Sequence, residues 1–195
     1  MNGLIRSFIA IPLPADVHHS LENFSRKMGL VDRSNGLRPV KPENIHITLK
    51  FLGDITQQQV KDLSACLDQS VDALVPFNVE IRGVGAFPGR QKSPRVIWVG
   101  ASPSAPLQQV YKTIDSATQR IGFPSENRPF SPHLTLARVS LPGGSASQRV
   151  IESLMKLTSE PFFGQFQVNK VVLFKSLLQP GGTIYSTLSS HHFKK

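Results

Sequence analysis

Ile45-His46-Ile47-Thr48-Leu49-Lys50-Phe51-Leu52 and Pro132-His133-Leu134-Thr135-Leu136-Ala137-Arg138 carry one pattern twice, with the histidines 87 positions apart. Along an extended strand, residues i and i+2 share a face. The first stretch therefore predicts a strand with Ile45, Ile47, Leu49 and Phe51 on an apolar face and His46, Thr48 and Lys50 on the other. The second places Leu134 and Leu136 inward and His133 with Thr135 on the opposite face. So long a separation excludes a solenoid period. It suits two copies of a half-domain, each supplying one strand. If those strands pack face to face or side by side, two imidazoles and two hydroxyls converge on one cleft.

Outward from these stretches the chain alternates between two periodicities. Arg6 to Ile11 reads as a strand closed by Pro12 and Pro14. Asp16 reads as an N-cap for a helix carrying Val17, Leu21, Phe24 and Met28, with Gly29 as its stop. Residues 30–44 read as a loop. Thr56-x-x-Gln59 forms a capping box ahead of Val60, Leu63, Leu67 and Val71. Strands are predicted at Phe77–Val84, Arg95–Val99, Pro132–Val139, Phe162–Val168, Val171–Lys175 and Thr183–Leu188. Further helices carry Leu107 to Ile121 and Val150 to Met155. Interleaved helices and hairpin-like connections favour an α+β fold with mainly antiparallel sheets over a doubly wound parallel one.

The 195 residues are 39% hydrophobic with 14 glycines, which excludes disordered and fibrous classes. No apolar run approaches the ~20 residues of a membrane helix, so no membrane association is expected. The net charge of +9 favours anionic partners, nucleic acid among them. The single cysteine, Cys66, allows no intrachain disulfide and reads as a small buried thiol. A reduced, cytoplasmic protein is expected, and a monomer.

The repeated His-x-Thr suits phosphodiester hydrolysis. A neutral imidazole takes a proton from water while a protonated one gives a proton to the leaving oxygen. With an ordinary pKa near ~6.5, imidazole supplies both forms at neutral pH. Threonine hydroxyls donate to the phosphate oxygens that gain charge in the transition state. No cofactor is called for, and neither His-x3-His nor Cys-x2-Cys occurs, so no metal signature is present.

His46-Ile47-Thr48-Leu49-Lys50-Phe51-Leu52-Gly53 and Pro132-His133-Leu134-Thr135-Leu136-Ala137-Arg138 resemble the paired signature of the two-histidine phosphoesterases. More closely they resemble the RNA 2′,3′-cyclic phosphodiesterases, formerly called 2′-5′ RNA ligases. Arg6-Ser7-Phe8-Ile9-Ala10, Gly85-Ala86-Phe87-Pro88, Ile97-Trp98-Val99-Gly100, Leu173-Phe174-Lys175-Ser176 and Tyr185 extend the likeness over the chain. The resemblance implies a single bilobal α+β domain over residues 1–195, two intertwined lobes about a pseudo-twofold axis and a central cleft. It implies hydrolysis of a terminal 2′,3′-cyclic phosphate on RNA, or on a nucleotide, to a 2′-phosphate. It assigns His46 as donor to the leaving O3′ and His133 as acceptor from water. Thr48, Thr135 and Arg138 would bind the substrate phosphate. A reversible RNA ligase using the same histidines, and a non-catalytic RNA-binding module, are the alternatives.

Other residues divide between site and scaffold. Strict alternation points Arg138 away from His133 unless the strand bends or bulges. Lys50 shares the His46 face and is a candidate phosphate contact. Arg82, Arg90, Lys92 and Arg95 flank a Gly/Pro loop that could track an RNA backbone. Phe8 and Trp98 are candidate base-stacking rings or core residues. His18, His19, His191 and His192 read as surface residues.

Overall fold

The computed structural model describes residues 3–88, 94–140, 144–157, 160–180 and 182–194. In chain order it contains β1 (Ile5–Pro12), α1 (Ala15–Lys27), β2 (Leu37–Pro39), β3 (His46–Ile55), α2 (Gln57–Val71), β4 (Phe77–Phe87), β5 (Val96–Ala101), α3 (Ala105–Arg120), β6 (His133–Val139), α4 (Ser145–Met155), β7 (Phe162–Val168), β8 (Lys170–Gln179) and β9 (Gly182–His192). The fold is α+β, with two antiparallel sheets and helices packed around them. One sheet has the order β3-β1-β8-β9 and the other β2-β6-β5-β4-β7. The motif strands β3 and β6 thus hold equivalent places, and β2 is an addition beside β6. Because β2 precedes β3 in the chain yet joins the other sheet, the two halves are interlaced.

Helix α2 packs on α3 and β9, α1 on β7, α3 on β3, and α4 on β4. Val60, Leu63, Leu67 and Val71 of α2 are buried as their spacing dictates, and Thr56 with Gln59 closes the expected capping box. A contiguous core draws on both sheets, from Ile9 and Ile47 to Ile81 and Leu134. Helix α1 begins slightly earlier than its sequence suggests. Pro14 occupies the N-cap, and Asp16 lies in the first turn without a capping bond from its side chain. Its carboxylate there still complements the helix dipole.

The two motif strands share an irregularity that alternation does not predict. In β3, Ala10 pairs with Thr48 and Ile9 with Lys50, leaving Leu49 as an extra residue. In β6, Trp98 pairs with Thr135 and Ile97 with Ala137, leaving Leu136 as the extra residue. Each is a β-bulge and reverses the faces of the residues just after it; β3 carries a second shift at Leu52, between the pairs Phe8–Phe51 and Ser7–Gly53. The first six residues of β3 and β6 accordingly show the same burial sequence, with two adjacent buried residues at Leu49-Lys50 and Leu136-Ala137.

This overturns the placement of Lys50 and Phe51. Phe51 is 64% exposed and Lys50 only 2%. The Lys50 ammonium lies 2.5 Å from Asp115 on α3 and 3.3 Å from the Phe123 carbonyl oxygen. Burial raises the Asp115 pKa, but hydrogen bonds from Lys50 and Ser125 together with the Lys50 charge outweigh it and leave the carboxyl below its ordinary value. His191 is corrected likewise. It is buried on β9, with Nδ1 2.6 Å from Asp68 and Nε2 2.8 Å from the Ser189 hydroxyl. His18 is half-buried, while His19 and His192 are exposed as expected.

Removing one partner of a buried ion pair strands the other in a low-dielectric site. Lys50→Ala is expected to lower the unfolding free energy by about 3 kcal/mol. Adding Asp115→Ala should cost less than the two single losses combined. Urea denaturation checks both. A single loss below ~1 kcal/mol, the range of exposed pairs, contradicts the buried role.

Candidate active site

Both motif histidines stand at the first residue of their strands, where the backbone leaves a turn. In each, the ring nitrogen Nδ1 lies 2.8 Å from the carbonyl oxygen two residues earlier, that of Asn44 for His46 and of Ser131 for His133. A carbonyl only accepts, so Nδ1 carries the proton and donates. Nε2 remains as the nitrogen that can accept a proton or, once protonated, give one up. The Asn44 turn is itself tied down, because the Asn44 side-chain amide donates to the Thr183 carbonyl of β9 at 2.7 Å.

The surroundings of the two rings differ. His46 stacks on Phe8 with ring centres 4.7 Å apart and lies 6.2 Å from Phe174. Tyr185 meets it edge-on at 5.4 Å. His133 has an edge contact with Phe87 at 5.2 Å. Burial pushes the His46 pKa down from its ordinary 6.5 to about 4. The bond to the Asn44 carbonyl opposes that shift and the charge of His133 adds to it. His46 is therefore neutral at pH 7. Burial also raises the Tyr185 pKa, against the pull of Arg138 and Arg6.

His46, Thr48, His133, Thr135 and Arg138 all line one cleft of about 1180 Å³. Neither threonine hydroxyl is bonded to a described residue, so both are available to a ligand. The bulge at Leu136 is what returns Arg138 to the His133 face. At the equivalent place in β3, the bulge at Leu49 delivers Phe51 to the same cleft. Lys50 is absent from it. Phe8 lines its floor but is 3% exposed, occupied by His46 and unable to stack on a base. Trp98 is stacked on Phe87 at 5.0 Å, directly over Gly85, where an added Cβ would come within 2.2 Å of the indole. Arg82 is engaged by Glu80 and Glu160. Arg95 is exposed outside the cleft, and Arg90 and Lys92 lie outside the described residues.

Sequence reasoning missed several lining residues: Phe51, Phe87, Arg33, Arg38 and Lys41. It also missed the backbone carbonyls of Asn44 and Ser131, for which no sequence signal exists, since any residue supplies a carbonyl.

The sequence profile of the 2′-5′ RNA ligase superfamily matches residues 15–179. The chain belongs to this superfamily. An RNA 2′,3′-cyclic phosphodiesterase of Methanocaldococcus jannaschii is 30% identical over 184 residues, covering 94% of this chain and 98% of the relative. One from Aquifex aeolicus is 28% identical, covering 97% of each. These relatives place the chain in the RNA 2′,3′-cyclic phosphodiesterase family. Among solved structures, a Thermus thermophilus protein superposes with a TM-score of 0.78 at 27% identity over 96% of this chain and 97% of that one. Escherichia coli LigT complexed with 3′-AMP gives a TM-score of 0.76 at 26% identity, covering 98% of this chain and 99% of that one.

An anion between the rings of this family member would stabilise the imidazolium form of His46. Its ring protons should titrate near pH 4 in the free protein and at a higher pH with saturating inorganic phosphate, followed by NMR. In the free protein the depressed pKa means that the unfolded chain binds the extra proton. The stability contributed by neutral His46 is thus full above about pH 6.5 and lost as pH falls through about 4. A His46 titration unmoved by phosphate contradicts an anion site between the histidines.

Proposed function

We propose that the protein opens a terminal 2′,3′-cyclic phosphate of RNA to a 2′-phosphate by proton transfer through His46 and His133. The observation that carries this reading is the duplicated ring geometry. Two imidazoles are held by the same backbone bond, in one cleft, with two unengaged hydroxyls beside them. Membership in the RNA 2′,3′-cyclic phosphodiesterase family makes the protein a phosphodiester hydrolase.

In the proposed step, Nε2 of neutral His133 takes a proton from water as the water oxygen attacks phosphorus. The bond from phosphorus to O3′ breaks, and O3′ receives the proton held on Nε2 of His46. Phosphate remains on O2′. Thr48 and Thr135 donate hydrogen bonds to the two non-bridging oxygens as their charge grows, and Arg138, farther along β6, adds positive charge to the cleft. A donor must arrive protonated, whereas burial keeps His46 neutral. The negative charge of the substrate supplies the difference by raising the His46 pKa on binding. Cyclic phosphate thus recruits the acid that opens it.

The rate on a nucleoside 2′,3′-cyclic phosphate should follow a bell-shaped pH curve set by the coupled pair. His46→Ala and His133→Ala should each lower kcat by about 10²–10⁴-fold, and the double variant by less than the product of the two. Thr48→Ala and Thr135→Ala should have smaller effects. Activity should persist in excess chelator. Thermal melting of each variant separates lost chemistry from lost structure. A folded His46→Ala or His133→Ala protein with near-normal turnover would sink the mechanism.

A further inference from the structure

The cleft is larger than the reacting group needs and is charged at one end. Its volume, about 1180 Å³, exceeds the ~300–1,000 Å³ usual for a small-molecule pocket. Arg33, Arg38, Lys41 and Arg138 line it, all exposed, and none is within ion-pair distance of a carboxylate among the described residues. The remaining lining cation, Arg26, is paired with Glu22 at 2.6 Å. Three of the four free cations come from residues 33–41, the segment containing β2.

The register of β2 is the decisive feature. Arg38 stands directly opposite Arg138 on the neighbouring strand β6. Side chains so opposed have Cβ atoms about 5 Å apart, and like charges there are destabilising. The sheet carries that cost at its edge, in the one strand that has no counterpart in the other sheet. Where β6 presents Arg138, β3 presents Phe51, so the equivalent place in the other sheet holds no such pair. Discounting the bulge, Arg138 lies four strand positions from His133, roughly 13 Å along the strand. A phosphate held between the two arginines is therefore distinct from the reacting one and lies farther along the RNA.

We propose that Arg38 and Arg138 clamp a backbone phosphodiester on the 5′ side of the terminal cyclic phosphate, so that a polynucleotide end is preferred over a free cyclic nucleotide. The inference rests on the phosphodiesterase reading and adds a direction to it. The RNA leaves the histidines across β2, toward Arg33. A bound phosphate also relieves the repulsion between the guanidiniums, and two forks meet its oxygens with charge-assisted bonds.

The test compares two substrates, a nucleoside 2′,3′-cyclic phosphate and a short oligoribonucleotide ending in the same group. Wild-type kcat/KM should be higher on the oligonucleotide. Arg38→Gln should reduce kcat/KM about 10-fold more on the oligonucleotide than on the mononucleotide. It should also reduce the slope of log(kcat/KM) against log salt on the oligonucleotide by about one. Arg38→Lys, which keeps the charge but not the fork, should restore the salt slope. The melting temperature of Arg38→Gln should stay level or rise, since a like-charge opposition is removed; a scaffold role predicts a fall. Equal losses on both substrates, or no loss on either, overturn the clamp. A wild-type enzyme active on the mononucleotide but indifferent to added nucleotides overturns it while leaving the phosphodiesterase reading intact. Inactivity of the wild type on both substrates overturns both.

Discussion

One extra residue three positions after each motif histidine decides what the cleft contains. A strand's side chains alternate without exception unless a bulge intervenes. Leu49 and Leu136 interrupt β3 and β6 at the same distance from their histidines. Both leucines stay in the core, so the interruption keeps apolar burial while turning the next outward residue back to the cleft. Arg138 reaches the cleft by this device, and Phe51 does so in the other half. The cost falls on the residue just after each bulge, which is forced inward. Ala137 fills that place without difficulty. Lys50 does not, and the fold answers with Asp115 and the Phe123 carbonyl.

Much of this was legible in the sequence, for reasons tied to particular residues. Period-two alternation in Ile45-His46-Ile47-Thr48 fixed which side chains stay together, and its recurrence at His133 fixed the relation between the halves. The capping box at Thr56 and the spacing from Val60 to Val71 located α2 closely. The bulges were not legible, because neither Leu49-Lys50 nor Leu136-Ala137 differs from an ordinary strand dipeptide. Lys50 and Phe51 were misplaced for that reason, and the face of Arg138 stayed open. Strand β2 is three residues long, too short to show a period, so Arg38 sat unnoticed in an expected loop. His191 looked solvent-facing in a polar segment, since its carboxylate partner, Asp68, is 123 residues away.

The two halves share a backbone plan and differ in electrostatics. Equivalent histidines, held by equivalent carbonyl bonds, sit in unequal surroundings: an aromatic cage for His46, a single ring edge for His133. Two coupled imidazoles titrate in separate steps even when their surroundings are alike. The cage breaks the degeneracy by setting His46 apart, without altering the geometry that points both rings into one space. Duplication supplies the pair, and divergence of the neighbours makes its two members unequal.

Phe174 and Tyr185, two walls of that cage, belong to β8 and β9, which close the sheet that β1 and β3 begin. The half that carries His46 is thus finished by strands that follow β6 in the chain. A nascent chain that has already emerged past His133 holds both imidazoles and both threonines, yet His46 is still unwalled and the Asn44 turn lacks its anchor on Thr183.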